Sequence, residues 1–249
     1  MMEKSLSGKT ALVTGASRGI GRAVALKLGQ MGAAVVVNYM NNVAAAEEVV
    51  EQIAAQGGKA LAIQADMADP AAIEQLFDQA IGEFGQLDIL VNNAGIAIYK
   101  AIAEVSEDDY EKLFSLNVKG LLFACQQAAR KLADGGRIIN ISTSVTKMML
   151  PSYGLYAASK GAVEQLTKVL AKELGLRGIT VNAVSPGPTD TELFREGKTE
   201  EQIRQMGAMA AFNRIGTPED IAGAVALLAS AEAGWISGQN ICANGGLTA

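Results

Sequence analysis

Short, nearly continuous apolar runs alternate along this chain with longer amphipathic stretches. Thr10–Val13, Ala34–Asn38, Ala60–Gln64, Asp88–Asn92, Arg137–Ile141, Thr180–Val184 and a weaker Gly238–Cys242 read as strands. Runs this short, with little alternation, suit strands buried on both faces. Between them the apolar spacing becomes helical, over Ile20–Met31, Val43–Ala55, Pro70–Phe84, Ser106–Leu132, Tyr153–Gly175 and Pro218–Ser230. Ser106 before Glu107-Asp108-Asp109 reads as an N-cap with an acidic first turn, and Thr217-Pro218 as a cap with proline at the first helical position. Strand–helix alternation over the whole length predicts an α/β fold: a parallel sheet with helices on both faces, in one domain spanning 1–249.

One segment breaks the rhythm. Residues 185–216 begin Ser185-Pro186-Gly187-Pro188-Thr189-Asp190 and then scatter Phe194, Met206, Met209 and Phe212 among polar residues. An insertion after a strand, at the carboxyl end of such a sheet, lies where ligands bind. It reads as a substrate lid or, equally, as a surface helical hairpin.

Composition narrows the chemistry. The chain has 249 residues, nearly half of them apolar, and a formal net charge of −5. Its lysines and arginines are scattered, which argues against a nucleic-acid face. The start, Met1-Met2-Glu3-Lys4-Ser5, has no signal-peptide pattern, and no apolar run is long enough to span a membrane. The two cysteines, Cys125 and Cys242, have no motif spacing, so neither a disulfide framework nor a metal site is expected. A cytoplasmic setting fits. The chain contains no histidine, so any acid–base work falls to another side chain.

The first strand runs into Thr14-Gly15-Ala16-Ser17-Arg18-Gly19-Ile20-Gly21. Glycines between a strand and a helix allow a tight turn and let the backbone approach a pyrophosphate at the helix N-terminus. Gly15, Ser17, Arg18, Gly19, Ile20 and Gly21 are therefore candidate dinucleotide-binding residues. The end of the second strand, Asn38-Tyr39-Met40-Asn41-Asn42, carries no acid to accept from a ribose 2′-hydroxyl, and Arg18 is placed to meet a 2′-phosphate. Both features favour NADP(H), with NAD(H) still open because Met40 offers no second base. Asp66 with Met67, ending the third strand, and Asn93-Ala94-Gly95, ending the fourth, extend the candidate site, with Asn38, along the strand ends.

Tyr156 and Lys160 stand four residues apart in a helical stretch, so they share a helix face. An ammonium beside a phenol favours the phenolate, which predicts a lowered tyrosine pKa.

These motifs, taken together and in order, resemble the short-chain dehydrogenase/reductase family in its single-domain form. The likeness rests on Thr14–Gly21, Asn92–Gly95, Asn117, Tyr156–Lys160 and Pro186–Gly187, and it covers nearly the whole chain. It implies a Rossmann-type, doubly wound sheet of seven strands and a nicotinamide cofactor. It also implies that Tyr156 is the general acid in carbonyl reduction, that Lys160 holds the nicotinamide ribose, and that Asn117 anchors a water behind Lys160. Asn93 and the turn Pro186, Gly187, Thr189 and Thr191 would flank the nicotinamide and phosphates. The family usually has a serine thirteen residues before the tyrosine; here that position is Thr143, with Ser142 or Ser144 as alternatives if the loop is offset.

The expected activity is reduction of a ketone or aldehyde. The runner-up is a 3-oxoacyl-[acyl-carrier-protein] reductase, to which the chain is also similar. In those proteins basic residues near the end of the fourth long helix dock an acidic carrier. The matching turn here, Ala133-Asp134-Gly135-Gly136, carries an acid, and only Arg130, Lys131 and Arg177 are at hand. A non-catalytic dinucleotide sensor is the alternative of another class, disfavoured by the presence of Asn117, Tyr156 and Lys160 together. A homotetramer is expected from the resemblance, with the helices Leu116–Leu132 and Gly154–Leu174 as candidate packing faces. Met148, Met149, Leu150, Tyr153, Phe194 and Met206 are candidates to line an apolar substrate pocket.

Overall fold

The computed structural model describes residues 5–248. Met1–Lys4, read above for a signal peptide, and Ala249 lie outside them. Seven parallel strands form one sheet in the order β3-β2-β1-β4-β5-β6-β7. They are β1 Thr10–Val13, β2 Ala34–Tyr39, β3 Lys59–Gln64, β4 Ile89–Asn92, β5 Arg137–Ile141, β6 Thr180–Pro186 and β7 Asn240–Ala243. The chain reverses its direction of winding between β1 and β4, the usual place for a ligand crevice in open α/β sheets.

Alternation along each strand sends neighbouring side chains to opposite faces. Ala11 and Val13 pack with Val35, Val37, Val91 and Ile139 against one helical layer. That layer is built from α1 Gly19–Gln30, α2 Val43–Ala55 and α10 Pro218–Ala229. Leu12, Val36, Leu90, Ile138 and Val181 face the other way, against α3 Pro70–Phe84, α5 Leu121–Lys131 and α7 Gly154–Glu173. Both faces are thus covered, which is why the strands read as apolar runs. Each fully buried large side chain, such as Phe77 or Leu12, contributes about 1.5–3 kcal/mol of burial.

Two expectations change in detail. The single helix read over Ser106–Leu132 is α4 Glu107–Phe114, a π-helical turn Ser115–Gly120, and α5. The wider turn admits a close contact: a Cβ on Gly120 would lie 1.9 Å from the carbonyl oxygen of Met67. A short helix α6, Val145–Met148, also follows β5. The inserted segment carries two short helices, α8 Glu192–Arg195 and α9 Glu200–Ala208. Its base is closed where Gly216 donates to the Pro188 carbonyl (2.8 Å) and Asp190 donates to the Gly216 carbonyl (2.9 Å). The expected caps are present: Ser106 and Asp109 form a capping box on α4, and Thr217 and Asp220 form one on α10 with Pro218 in its first turn.

Candidate active site

The glycine turn sits at the carboxyl end of β1. Gly15 and Gly19 take positive φ, 61° and 53°, and a Cβ on Gly21 would lie 2.4 Å from the Gly15 carbonyl oxygen and 2.5 Å from Asn93 Nδ2. Only hydrogen fits there. Three polar side chains hold the turn. Asn38 Oδ1 accepts from the Gly15 N–H (3.1 Å) while its Nδ2 donates to the Ile63 and Ala65 carbonyls. Asn93 Nδ2 donates to the Thr14 and Gly15 carbonyls (2.9 and 3.1 Å). Thr14 Oγ1 accepts from the Asn93 and Ala94 N–H groups (2.9 and 3.0 Å). The side chains of Asn38 and Asn93, read as ligand-facing, therefore work as internal staples. Each is a buried or half-buried amide whose hydrogen bonds go to backbone from distant strands, and that pairing shapes the turn.

The N-terminus of α1 fits a nucleotide pyrophosphate. Helices α2, α3, α4, α8, α9 and α10 each begin with a side chain accepting from a first-turn N–H, whereas α1, like α5, α6 and α7, has no such cap and no acid in its first turn. Its leading N–H groups are thus left to an outside acceptor. Ser17 and Gly19 border this turn half-buried, Ile20 packs on the core, and Arg18 is exposed. Arg18 Nη1 pairs with Glu192 Oε2 at 3.1 Å. Farther along, Asp66 accepts from the Ala68 N–H (2.8 Å), and Met67 is buried in the core, so its side chain is not offered to a ligand.

On the other side of the crevice, α7 brings Tyr156 and Lys160 to the end of β5. Lys160 is buried and donates to the Ile141 carbonyl at 2.7 Å, with its Nζ 6.0 Å from the centre of the Tyr156 ring. Burial holds the ammonium down to about 8. Tyr156 is half-buried, and burial pushes its phenol up to about 12, with the Thr143 side chain drawing it down. This runs against the expectation of a lowered tyrosine pKa: desolvation is the largest cause of the shift, and Lys160 is not among its causes.

The three hydroxyls after β5 are differently engaged: Thr143 Oγ1 accepts from the Val145 N–H (3.3 Å) and acts on the Tyr156 phenol, drawing its pKa down. Ser142 donates to Glu164 (2.9 Å), and Ser144 donates to the Ser185 carbonyl (3.3 Å) while accepting from Asn244 (3.0 Å). Asn117, on the π-helical turn, is buried and clamps the Gly95–Ile96 loop: its Oδ1 accepts from the Ile96 N–H (2.9 Å) and its Nδ2 donates to the Ile96 carbonyl (2.9 Å) and to Ser159 Oγ (3.2 Å). Ser159 in turn donates to the Tyr156 carbonyl (2.8 Å). A Cβ on Gly95 would stand 3.1 Å from Asn117 Oδ1 and 3.6 Å from Lys160 Nζ, so the loop lies directly over both. Pro186 ends β6 and Gly187 donates to the Ala243 carbonyl (3.2 Å). Thr189 donates to the Gly187 carbonyl (2.9 Å), and Thr191 caps α8.

Several positioning residues escaped the sequence reading. Ser159 stands three residues after Tyr156, a helical spacing that was available as a signal. Thr14 directly precedes the glycine turn. Glu164, which also accepts from Thr146 (2.7 Å), and Asn244 had none. Tyr99 stacks on Tyr153 (4.4 Å between centroids) and meets Tyr156 edge-on (6.2 Å). Of the apolar lining candidates, Met149 is 85% exposed. Two of the three basic residues weighed for carrier docking are engaged: Lys131 pairs with Asp78, and Arg177 with Asp134 and the Ala129 carbonyl.

Comparison with known proteins agrees with this arrangement. A family profile described as enoyl-(acyl carrier protein) reductase matches residues 15–248. The chain belongs to the short-chain dehydrogenase/reductase family. It is 44% identical over 253 residues to versicolorin reductase from Emericella nidulans, covering 97% of this chain and 96% of that one. It is 42% identical over 255 residues to an NADPH-dependent aldehyde reductase-like protein from Arabidopsis thaliana, covering 97% and 94%. The crystal structure of an angucycline C-6 ketoreductase with bound NADP superposes with a TM-score of 0.92 at 43% identity, covering 98% and 96%. As a member of this family the chain is an oxidoreductase of the seven-stranded Rossmann type. Among the described residues no helix is long and apolar enough to cross a membrane, and no group of three or more His, Cys, Asp or Glu could hold a metal.

Proposed function

We propose that this protein is an NADP(H)-dependent reductase of ketones or aldehydes. The observation that carries the reading is the placement of Tyr156 and Lys160 at the end of β5, across the crevice from an uncapped helix N-terminus behind a glycine turn. Relatives named as an NADPH-dependent aldehyde reductase-like protein and as a ketoreductase with bound NADP support the cofactor and the class of reaction.

The residues fit a dinucleotide as follows. The first N–H groups of α1 would receive the pyrophosphate, Arg18 would meet the 2′-phosphate, and the Asn93–Gly95 and Pro186–Thr191 backbones would border the nicotinamide. The bound cofactor supplies the hydride. Thr143 and Tyr156 hydrogen-bond the substrate carbonyl oxygen and orient it, which favours negative charge developing there. Tyr156 Oη gives its proton to that oxygen; a phenol held protonated by burial is ready to act as an acid. Lys160 holds the ribose hydroxyls, and Asn117 fixes the π-helical turn and Ser159 behind it. Residues 185–216 form the lid over this crevice.

Docking of an acyl carrier is not favoured, because Lys131 and Arg177 are already paired and Asp134 stands in the matching turn. The exposed apolar side chains Leu122 on α5 and Val169 on α7 support packing of these helices in a homotetramer. The deciding experiment is NADPH and NADH oxidation across ketones, aldehydes and free and carrier-bound 3-oxo esters, with Tyr156→Phe alongside. The variant is expected to bind NADPH and lose turnover. Tight cofactor binding without turnover of any carbonyl by the wild type would favour a sensor instead.

A further inference from the structure

Lys198 lies just beyond α8 and turns back over the crevice. Its Nζ sits 5.1 Å from the centre of the Tyr99 ring and 5.0 Å from that of Phe194. Tyr99 meets the Tyr156 ring edge-on at 6.2 Å. The ammonium is therefore no farther from the Tyr156 ring than those two distances laid end to end.

The charge of Lys198 is unpaired in a segment where other cations are paired. Arg195 is held by Asp190 and Glu200, and Arg204 by Glu201. Among the described residues no carboxylate comes within ion-pair distance of Lys198; Glu196 acts on it only from farther off. Partial burial lowers its pKa, so the ammonium has lost part of its water and is held by aromatic faces instead. Such a cation gains from meeting an anion. Its flexible four-carbon stem lets it turn without moving the backbone.

Resting on the reductase reading above, we infer that Lys198 is a specificity-determining residue: it selects carbonyl substrates that carry an anionic oxygen group remote from the carbonyl being reduced, with Tyr99 and Phe194 flanking the substrate body. The anion replaces the aromatic faces as the partner of the ammonium and fixes the far end of the substrate. The near end is thereby aligned under Thr143 and Tyr156. An interaction made equally in ground and transition states acts on KM more than on kcat.

The test uses two probes of matched shape, 4-acetylbenzoate and its neutral counterpart 4-acetylbenzamide, with the full-length wild type, Lys198→Met and Lys198→Arg at saturating NADPH. The wild type is expected to prefer the anion. In Lys198→Met the ratio of kcat/KM for anion over amide falls about tenfold, mostly through KM, and Lys198→Arg restores much of it. An unchanged ratio in Lys198→Met overturns the inference, since a lysine that merely props the lid alters both probes alike. So does a wild type that reduces the amide but not the anion, or that reduces other ketones but neither probe. Absence of NADPH oxidation with every ketone and aldehyde tried is a different result: it removes the reductase reading itself.

Discussion

Glu192, in the first turn of α8, accepts a hydrogen bond from Arg18 of the glycine turn at 3.1 Å. The pair ties the inserted segment to the cation proposed above to meet a 2′-phosphate. The contact is reinforced beside it, where a Cβ on Gly19 would rest 3.4 Å from the Thr191 methyl. Both side chains are largely exposed, 68% and 77%, so the pair itself is worth at most about 1 kcal/mol. That is enough to matter for a competing ligand. Glu192→Gln is expected to tighten NADPH binding by about two- to fivefold at low salt, with little change for NADH. Arg18→Ala is expected to weaken NADPH more than NADH. Fluorescence titration of the reduced cofactors against each variant reads both effects, and equal shifts for the two cofactors would show that Arg18 does not meet the 2′-phosphate.

Thr143 and Ser142 are adjacent but differently engaged, and this separates their variants. Thr143 acts on the Tyr156 phenol, whereas Ser142 ties the strand end to Glu164 on α7 at 2.9 Å. Thr143→Val keeps the shape and removes the hydroxyl. It should lower kcat/KM by about 10²-fold, as loss of one oxyanion donor does. Ser142→Ala should instead reduce stability by about 1 kcal/mol and leave most of the turnover. Steady-state kinetics together with thermal melts of both proteins decide it; a near-normal Thr143→Val with an inactive Ser142→Ala would reverse the roles.

The parts of this molecule that sequence reveals are those written in local spacing. The five central strands, buried on both faces, leave short apolar runs, and Tyr156 and Lys160 sit one helical turn apart. Asn38 and Asn93 show where such reading stops. Each looks like a ligand donor at a strand end, yet each closes on backbone 23 to 79 residues away, and that partnership exists only once β1, β2 and β4 are side by side. The sign of the Tyr156 pKa shift is hidden for the same reason. The lysine four residues on is visible in the sequence, while the packing that desolvates the phenol is contributed by β5, α7 and the Tyr99 loop. Lys198 belongs to this second group: nothing near it in sequence announces that it will face Tyr99.

Gly120 is the tightest steric point under the site. A methyl there would sit 1.9 Å from the Met67 carbonyl oxygen, a contact between backbones of the π-helical turn and the loop after β3. Neither side can yield by rotating a side chain. Gly120→Ala is expected to cost more than the roughly 1–3 kcal/mol typical of overpacking, and to lower Tm by several degrees. Because the displaced turn carries Asn117, kcat should fall as well in whatever fraction folds. Calorimetry and kinetics on Gly120→Ala test this, with Gly82→Ala on α3, where a Cβ meets nothing within 4 Å, as the tolerant control. Equal melting of the two variants would contradict the contact.

Lys160 gives the protein a pH-dependent stability of definite sign. Its folded pKa is about 8, depressed by burial from 10.5. Between those values the unfolded chain binds a proton that the folded chain does not, so stability rises with pH across that window. Below about pH 8 the lysine is charged in both states and the destabilisation from burying it is fully present. Lys160→Met removes the titration but also leaves the Ile141 carbonyl, now bonded at 2.7 Å, without its donor. The absolute difference between the proteins therefore mixes two effects, while its pH dependence isolates one. Denaturant unfolding at pH 7 and at pH 9.5 should show wild type gaining on Lys160→Met by on the order of 1–2 kcal/mol. The window stops short of the Tyr156 transition near 12, where a raised tyrosine pKa acts in the opposite direction. A difference between the two proteins that stays constant over this range would mean that Lys160 keeps its ordinary pKa in the folded protein.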